Sequence, residues 1–166
     1  MATPPASAID LTTLDLESFE GQPVAVLGLA RSGIALARFL TDHGARVTVY
    51  DGRPREALTE ALTALGERDL RLLLGPDVEP PEALVGQALI CTSPSINSRY
   101  PTTEPRLRTA LAAIEAEGRV PVVSEVDLFL RLCPAVTVGV TGTKGKTTTC
   151  LLYTSPSPRD ELADLV

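Results

Sequence analysis

The residues best equipped for chemistry lie in "VTGTKGKTTT", Val140 to Thr149. Gly142 and Gly145 permit the backbone angles with which successive N–H groups turn toward one anion. Lys146 can set its ammonium against phosphate oxygens, and the Thr147 hydroxyl can ligand Mg²⁺. The strict phosphate-loop pattern asks for glycine at position 140, where valine stands and Gly139 falls one place early. A strand-like run, "AVTVGVTG", leads into the loop, and with the threonine run it points to a nucleotide phosphate cradle. A loop of chance composition is the alternative.

A second candidate is "GLARSG", Gly28 to Gly33, between an apolar run and a helical pattern. A dinucleotide fingerprint would place glycine where Ala30 stands, and its methyl crowds a pyrophosphate without forbidding it. Asp51 follows Gly33 by eighteen residues, where a carboxylate could accept bonds from ribose hydroxyls. One reading is a ligand held at a helix N-terminus. The other is that the glycines only turn the chain and Asp51 only ends a strand.

Both loops need a scaffold that brings strand ends together. "VAVLGL" (24–29), "RVTVYD" (46–51), "LRLLLG" (70–75), "ALICTS" (88–93) and "VPVVS" (120–124) read as strands buried on both faces. Between them "SGIALARFLTDHG", "PREALTEALTALG" and "TEPRLRTALAAIEAEG" carry helical spacing, the last with Thr103 as its expected cap and an early proline. "EVDLFLRL" reads as a short helix capped by Ser124. The alternation predicts an α/β fold: a Rossmann-like open parallel sheet with helices on both faces. It is followed by the first strand and phosphate loop of a second, truncated ATPase domain. The expected boundaries are a loose arm at 1–19, the sheet domain at 20–120, a linker at 121–134, the ATP-binding start at 135–150 and an aberrant tail at 151–166.

Composition narrows the partners. The net charge of −6, with no Lys/Arg cluster, argues against a nucleic-acid surface. No apolar run approaches the roughly 20 residues a membrane helix needs, and the start lacks a secretory pattern. Cys91, Cys133 and Cys150 form no CxxC pair and read as reduced thiols, with His43 a surface residue and no transition-metal set. The expectation is a cytoplasmic monomer.

Four pieces in order, "VAVLGLARSG", "VYDGR", "CTSPSI" and "VVSEVDLFLR", together with the "TGTKGK" core, resemble the Mur ligases over about residues 20–150. Within that family they look like the branch that adds D-glutamate. The resemblance implies that an amino-terminal domain holds the UDP end of UDP-N-acetylmuramoyl-L-alanine. Arg31 and Ser32, with Asp51, Gly52 and Arg53, would contact the uridine end. Ser93, Pro94 and Ser95 would approach the uracil and diphosphate, Ser95 standing where the family commonly has glycine. It implies ATP and Mg²⁺ as cofactors: Gly142, Thr143, Lys144, Gly145, Lys146, Thr147 and Thr148 cradle the phosphates, Lys146 and Thr147 act in catalysis, and Thr147 ligands the metal. The implied reaction phosphorylates the precursor's carboxylate, and the amine of D-glutamate then attacks the acyl phosphate to give an amide.

After Thr149 the likeness stops. "CLLYTSPSPRDELADLV" sets Pro156 and Pro158 where a longer helix is expected, and "LLYTSPSPRD" reads as foreign sequence on a truncated, inactive chain. Two other readings stand: a nicotinamide-dependent oxidoreductase domain resting on "GLARSG" and Asp51, and a non-catalytic UDP-nucleotide-binding module.

Overall fold

In the computed structural model, residues 7–93 and 95–154 are described, and the chain divides into two compact units, Met1–Leu132 and Cys133–Val166. The first is built on a parallel five-stranded sheet in the order β3-β2-β1-β4-β5. β1 (Pro23–Leu27) lies at its centre, and Val24 to Leu27 have no exposed surface. That is the burial its unbroken apolar run implies, because a strand covered on both faces has no polar side to show. β2 (Arg46–Asp51) and β4 (Leu89–Thr92) flank it, with β3 (Arg71–Leu74) and β5 (Val122–Ser124) outermost. β3 is only partly covered, as befits an edge. β5 falls within the segment 121–134 expected as linker, which also carries a helix.

Helices cover both faces. On one, α1 (Arg31–Asp42), α2 (Thr59–Leu65) and α5 (Glu125–Leu132) contribute Leu36, Leu40, Leu65 and Leu128 to a shared core. On the other, α3 (Pro81–Leu84) and α4 (Pro105–Glu117) contribute Ala83, Leu84, Leu107 and Leu111. Each buried leucine is worth roughly 1.5–3 kcal/mol of transfer free energy.

Two expectations about local structure change. Residues 1–19 were expected as a loose arm, yet from Ile9 onward they are tied down: the Ile9 amide donates to the Ala88 carbonyl at 3.0 Å, and Phe19, ending the 3₁₀ turn Glu17–Phe19, is wholly buried. Thr103 does not cap α4. Glu104 does, its carboxylate accepting from the Leu107 amide at 2.8 Å. The Ser124 cap is present, its hydroxyl accepting from the Asp127 amide at 3.1 Å.

In the second unit, α6 is described over Lys146–Thr154 and begins at the lysine. The strand expected over Ala135–Gly142 is absent: these residues form no regular structure, and Val136 and Val138 are 97% and 85% exposed. A parallel strand exists only through pairing, and among the described residues this segment has no strand beside it. Residues 155–166, most of the expected aberrant tail, lie outside the described residues.

Candidate functional site

β1 is followed in sequence by neighbours on one side of the sheet and β4 by neighbours on the other, so the chain reverses its direction of winding between them. A crevice at the carboxyl ends of such strands is where open α/β sheets hold ligands. The register pairs Leu27 with Tyr50 and with Thr92. Gly28, Asp51 and Ser93 therefore stand level as the strands run out. Arg31, Ser32, Gly52, Arg53 and Ser95 follow on the same edge. The residues singled out in the first unit are brought to one rim; Pro94 lies outside the described residues.

The loop from β1 into α1 is shaped by two glycines for two reasons. Gly28 has φ +86°, which side chains resist, and a Cβ there would stand 2.6 Å from Ile96 Cδ1. Its amide donates to the Tyr50 carbonyl at 2.8 Å, extending the β1–β2 ladder by one bond. Gly33 needs no unusual angle, but its Cβ would fall 1.8 Å from the Gly28 carbonyl oxygen. The first turn of α1 thus sits directly on the loop. Ala30 takes the capping position and offers no side-chain acceptor, leaving the first-turn amides and the positive end of the helix dipole for a ligand.

Asp51 is 7% exposed and heavily engaged. Its Oδ2 accepts from the Leu29 amide at 2.7 Å and from Arg53 Nη2 at 2.7 Å; its Oδ1 accepts from the Arg53 amide at 2.9 Å and Nε at 3.0 Å. Burial is the largest influence on this carboxyl and opposes its charge. The bonds from the Arg53 side chain and backbone and from Leu29 outweigh it, holding the pKa below the ordinary value. The sequence left Asp51 either to a ribose or to the end of a strand. The structure gives its oxygens to the protein, where they tie the end of β2 to the loop after β1.

The loop after β4 is fastened by Ser93 and Ser95, both singled out in the sequence, together with Ile96, Asn97 and Thr103, whose part in the loop the sequence did not show. Ser93 is buried, and its hydroxyl shares a 3.0 Å bond with that of exposed Ser95. The Ile96 amide donates to the Ser93 carbonyl at 2.9 Å, and the Ile96 side chain fills the space beside Gly28. Thr103, 3% exposed, accepts from the Asn97 amide at 3.1 Å and donates to the Ser95 carbonyl at 3.4 Å. A threonine just ahead of a helix looks like a cap, and only its burial shows that it braces the loop.

Residues 22–115 match the profile of the Mur ligase MurD-like N-terminal domain. The chain belongs to the MurD-like Mur ligases. It is 41% identical over 127 residues to the UDP-N-acetylmuramoylalanine–D-glutamate ligase of Trichlorobacter lovleyi, covering 76% of this chain and 26% of that protein. The enzymes of the same name from Geotalea daltonii and Lactococcus lactis subsp. cremoris are each 38% identical, over 133 and 140 residues, with 80% and 82% of this chain and 27% and 28% of theirs covered. The chain thus spans about a quarter of the length of the curated relatives it matches. Shikimate dehydrogenase from Aquifex aeolicus superposes with a TM-score of 0.43 at 15% identity, covering 68% of this chain and 45% of that one, a likeness too loose to carry an argument. Among the described residues, no helix of this MurD-like chain is long and apolar enough to cross a membrane.

The second unit holds the other candidate loop. Gly142 and Gly145 have φ of +152° and +83°, and α6 starts at the next residue, Lys146. Thr149 donates through both its amide and its hydroxyl to the Gly145 carbonyl, at 2.9 and 3.0 Å, fastening the first turn. The Lys146 ammonium donates to the Gly142 carbonyl across the loop. Thr143, Lys144, Thr147 and Thr148 are exposed. Glycines in the positive-φ region followed by a helix N-terminus are a donor set that suits phosphate.

Proposed function

We propose that the first unit holds the UDP end of UDP-N-acetylmuramoyl-L-alanine, in a protein of the class that joins D-glutamate to that precursor with ATP. The observation that carries the reading is the rim itself: three loops of one MurD-like sheet, ending β1, β2 and β4, converge beside an uncapped helix N-terminus. A diphosphate takes the first-turn amides at Arg31 and Ser32. The uridine lies toward Gly52 and Arg53, with Ser93 and Ser95 closing the opposite side. Asp51 acts by positioning: it fixes the Leu29 amide and the Arg53 guanidinium, so that the loop meets the ligand already shaped.

The second unit's loop, Gly142 to Thr148, would hold the ATP phosphates, with the Thr147 hydroxyl a ligand to Mg²⁺. Bound there, ATP supplies the phosphoryl group that makes the precursor's carboxylate reactive toward an amine. Lys146 contributes charge neutralisation on moving from the Gly142 carbonyl to phosphate oxygens.

Calorimetric titration tests the reading. UDP and the UDP-muramoyl precursor should bind the chain, and NADH should not. Binding of NADH with no response to UDP would overturn it in favour of a dinucleotide site.

A further inference from the structure

Tyr50 is 2% exposed, and among the described residues its hydroxyl has no hydrogen-bond partner. Buried phenols ordinarily find one, because an unsatisfied hydroxyl out of water costs free energy without return. The ring belongs to the core under α3 and α4, with Leu27, Leu84 and Leu107. Its hydroxyl ends beneath the rim, 3.8 Å from where a Cβ on Gly52 would stand.

Gly52 itself has no evident need to be glycine. Its φ lies outside the positive region, and beyond its chain neighbours nothing but the Tyr50 hydroxyl comes within 4 Å of that Cβ position. A side chain at 52 would stand against the phenol oxygen and thicken the cover between it and the rim. The neighbouring polar side chains are already committed, since Asp51 and Arg53 bond to one another. Tyr50 is the member of this segment whose hydrogen-bonding capacity is unspent.

We propose that the Tyr50 hydroxyl reads the nucleotide, donating a hydrogen bond to a carbonyl oxygen of the pyrimidine ring of bound UDP, reached past the bare backbone of Gly52. The inference rests on the UDP reading above and adds a residue that sets specificity. It requires the Gly52 backbone to shift on binding, because the hydroxyl is buried from solvent. Burial raises the phenol's pKa, so it stays protonated and able to donate at neutral pH.

UDP titration and thermal unfolding are measured for the 166-residue chain, Tyr50→Phe, Gly52→Ala and the double variant. Tyr50→Phe should bind UDP about five- to tenfold more weakly, the loss of one hydrogen bond, with an unfolding midpoint unchanged or raised. A purely structural phenol would leave affinity alone. Gly52→Ala should also weaken UDP by thickening the cover over the hydroxyl, and should add nothing once Tyr50 is phenylalanine. Equal affinity of Tyr50→Phe and the parent overturns the inference while leaving the UDP site standing. A parent chain that does not bind UDP removes the site and the inference together.

Discussion

Gly33→Ala separates two physical effects of opposite sign. Gly33 occupies the first turn of α1, and on helix propensity alone alanine there should stabilise the chain by up to about 1 kcal/mol. The structure predicts the reverse. The added methyl carbon would stand 1.8 Å from the Gly28 carbonyl oxygen and 2.9 Å from its carbon. Carbon–oxygen contacts settle near 3.3–3.6 Å, so the loop and the helix must part by roughly 1.5 Å. Both sides are backbone and neither yields cheaply: Gly28 is bonded to the Tyr50 carbonyl, and Leu29 just beyond it to Asp51. Overpacking costs about 1–3 kcal/mol, and an overlap between two stretches of backbone belongs at the upper end, about 3; less the propensity gain of about 1, the net loss is near 2 kcal/mol. For a unit of this size that lowers the unfolding midpoint by about 6–8 °C. Because the parting moves the first-turn amides, UDP affinity should fall with it. Differential scanning calorimetry and UDP titration of the same preparation read both. A midpoint equal to or above the parent's would refute the claimed contact between helix and loop.

Asp51→Asn should cost about 2 kcal/mol at neutral pH, a charge-assisted set discounted because Arg53 is half exposed. The folded-state pKa of Asp51 is depressed, so its contribution is present above the ordinary carboxylate range, near 4, and fades as pH falls through the folded value. Urea unfolding at pH 7 and pH 3 should therefore show a gap between parent and variant that closes in acid; a gap of the same size at pH 3 contradicts the assignment. Cys91 is fully buried, and burial pushes its thiol pKa up to about 12, so iodoacetamide at pH 8 should label it in urea but not in the native chain. Native labelling at the rate of an open thiol, read by peptide mass spectrometry, would show that the β4 core is looser than described. Lys146→Ala should abolish binding of ATP while leaving UDP affinity unchanged, and ATP binding of parental strength would remove the phosphate role of this loop.

The sheet was legible in the sequence because parallel strands buried on both faces need unbroken apolar runs, as "VAVL" and "LICT" show. The α1 helix was legible from Leu36, Ala37 and Leu40 on one face. The anchoring of Ile9 and Phe19 was not, because Ile9, Leu11, Leu14, Leu16 and Phe19 recur with neither the period of a helix nor that of a strand. Thr103 and Glu104 are adjacent, and either can cap a helix, so the choice depended on which side chain the fold buries. The run 135–142 alternates like a strand, but strand formation belongs to a pair, and sequence displays only one member. For the site, residue types and spacing marked the rim, while the bonds that shape it join Leu29 to Asp51 and Ser95 to Thr103 through space.

The Asp51 contacts show why a motif locates a site more readily than it assigns roles within it. A carboxylate at the end of the second strand can serve a ribose or serve the loop, and the same sequence position permits both. Here its two oxygens already receive four protein donors, counting the Leu29 amide and three from Arg53. In the positioning role proposed above all four stay in place; were a ligand hydroxyl to take one oxygen instead, the half-exposed Arg53 guanidinium is the donor that could leave without being stranded from water. The Leu29 amide is buried and has no such alternative. A substrate hydroxyl that took an oxygen of Asp51 would therefore compete with the Arg53 guanidinium and not with the loop, and the β1–α1 turn would keep its shape. Arg53→Ala should then leave the Leu29–Asp51 bond in place and expose the carboxylate. A Leu29 amide that exchanges with deuterium as slowly in that variant as in the parent would bear this out, and markedly faster exchange would show that Arg53 holds the loop as well as the aspartate.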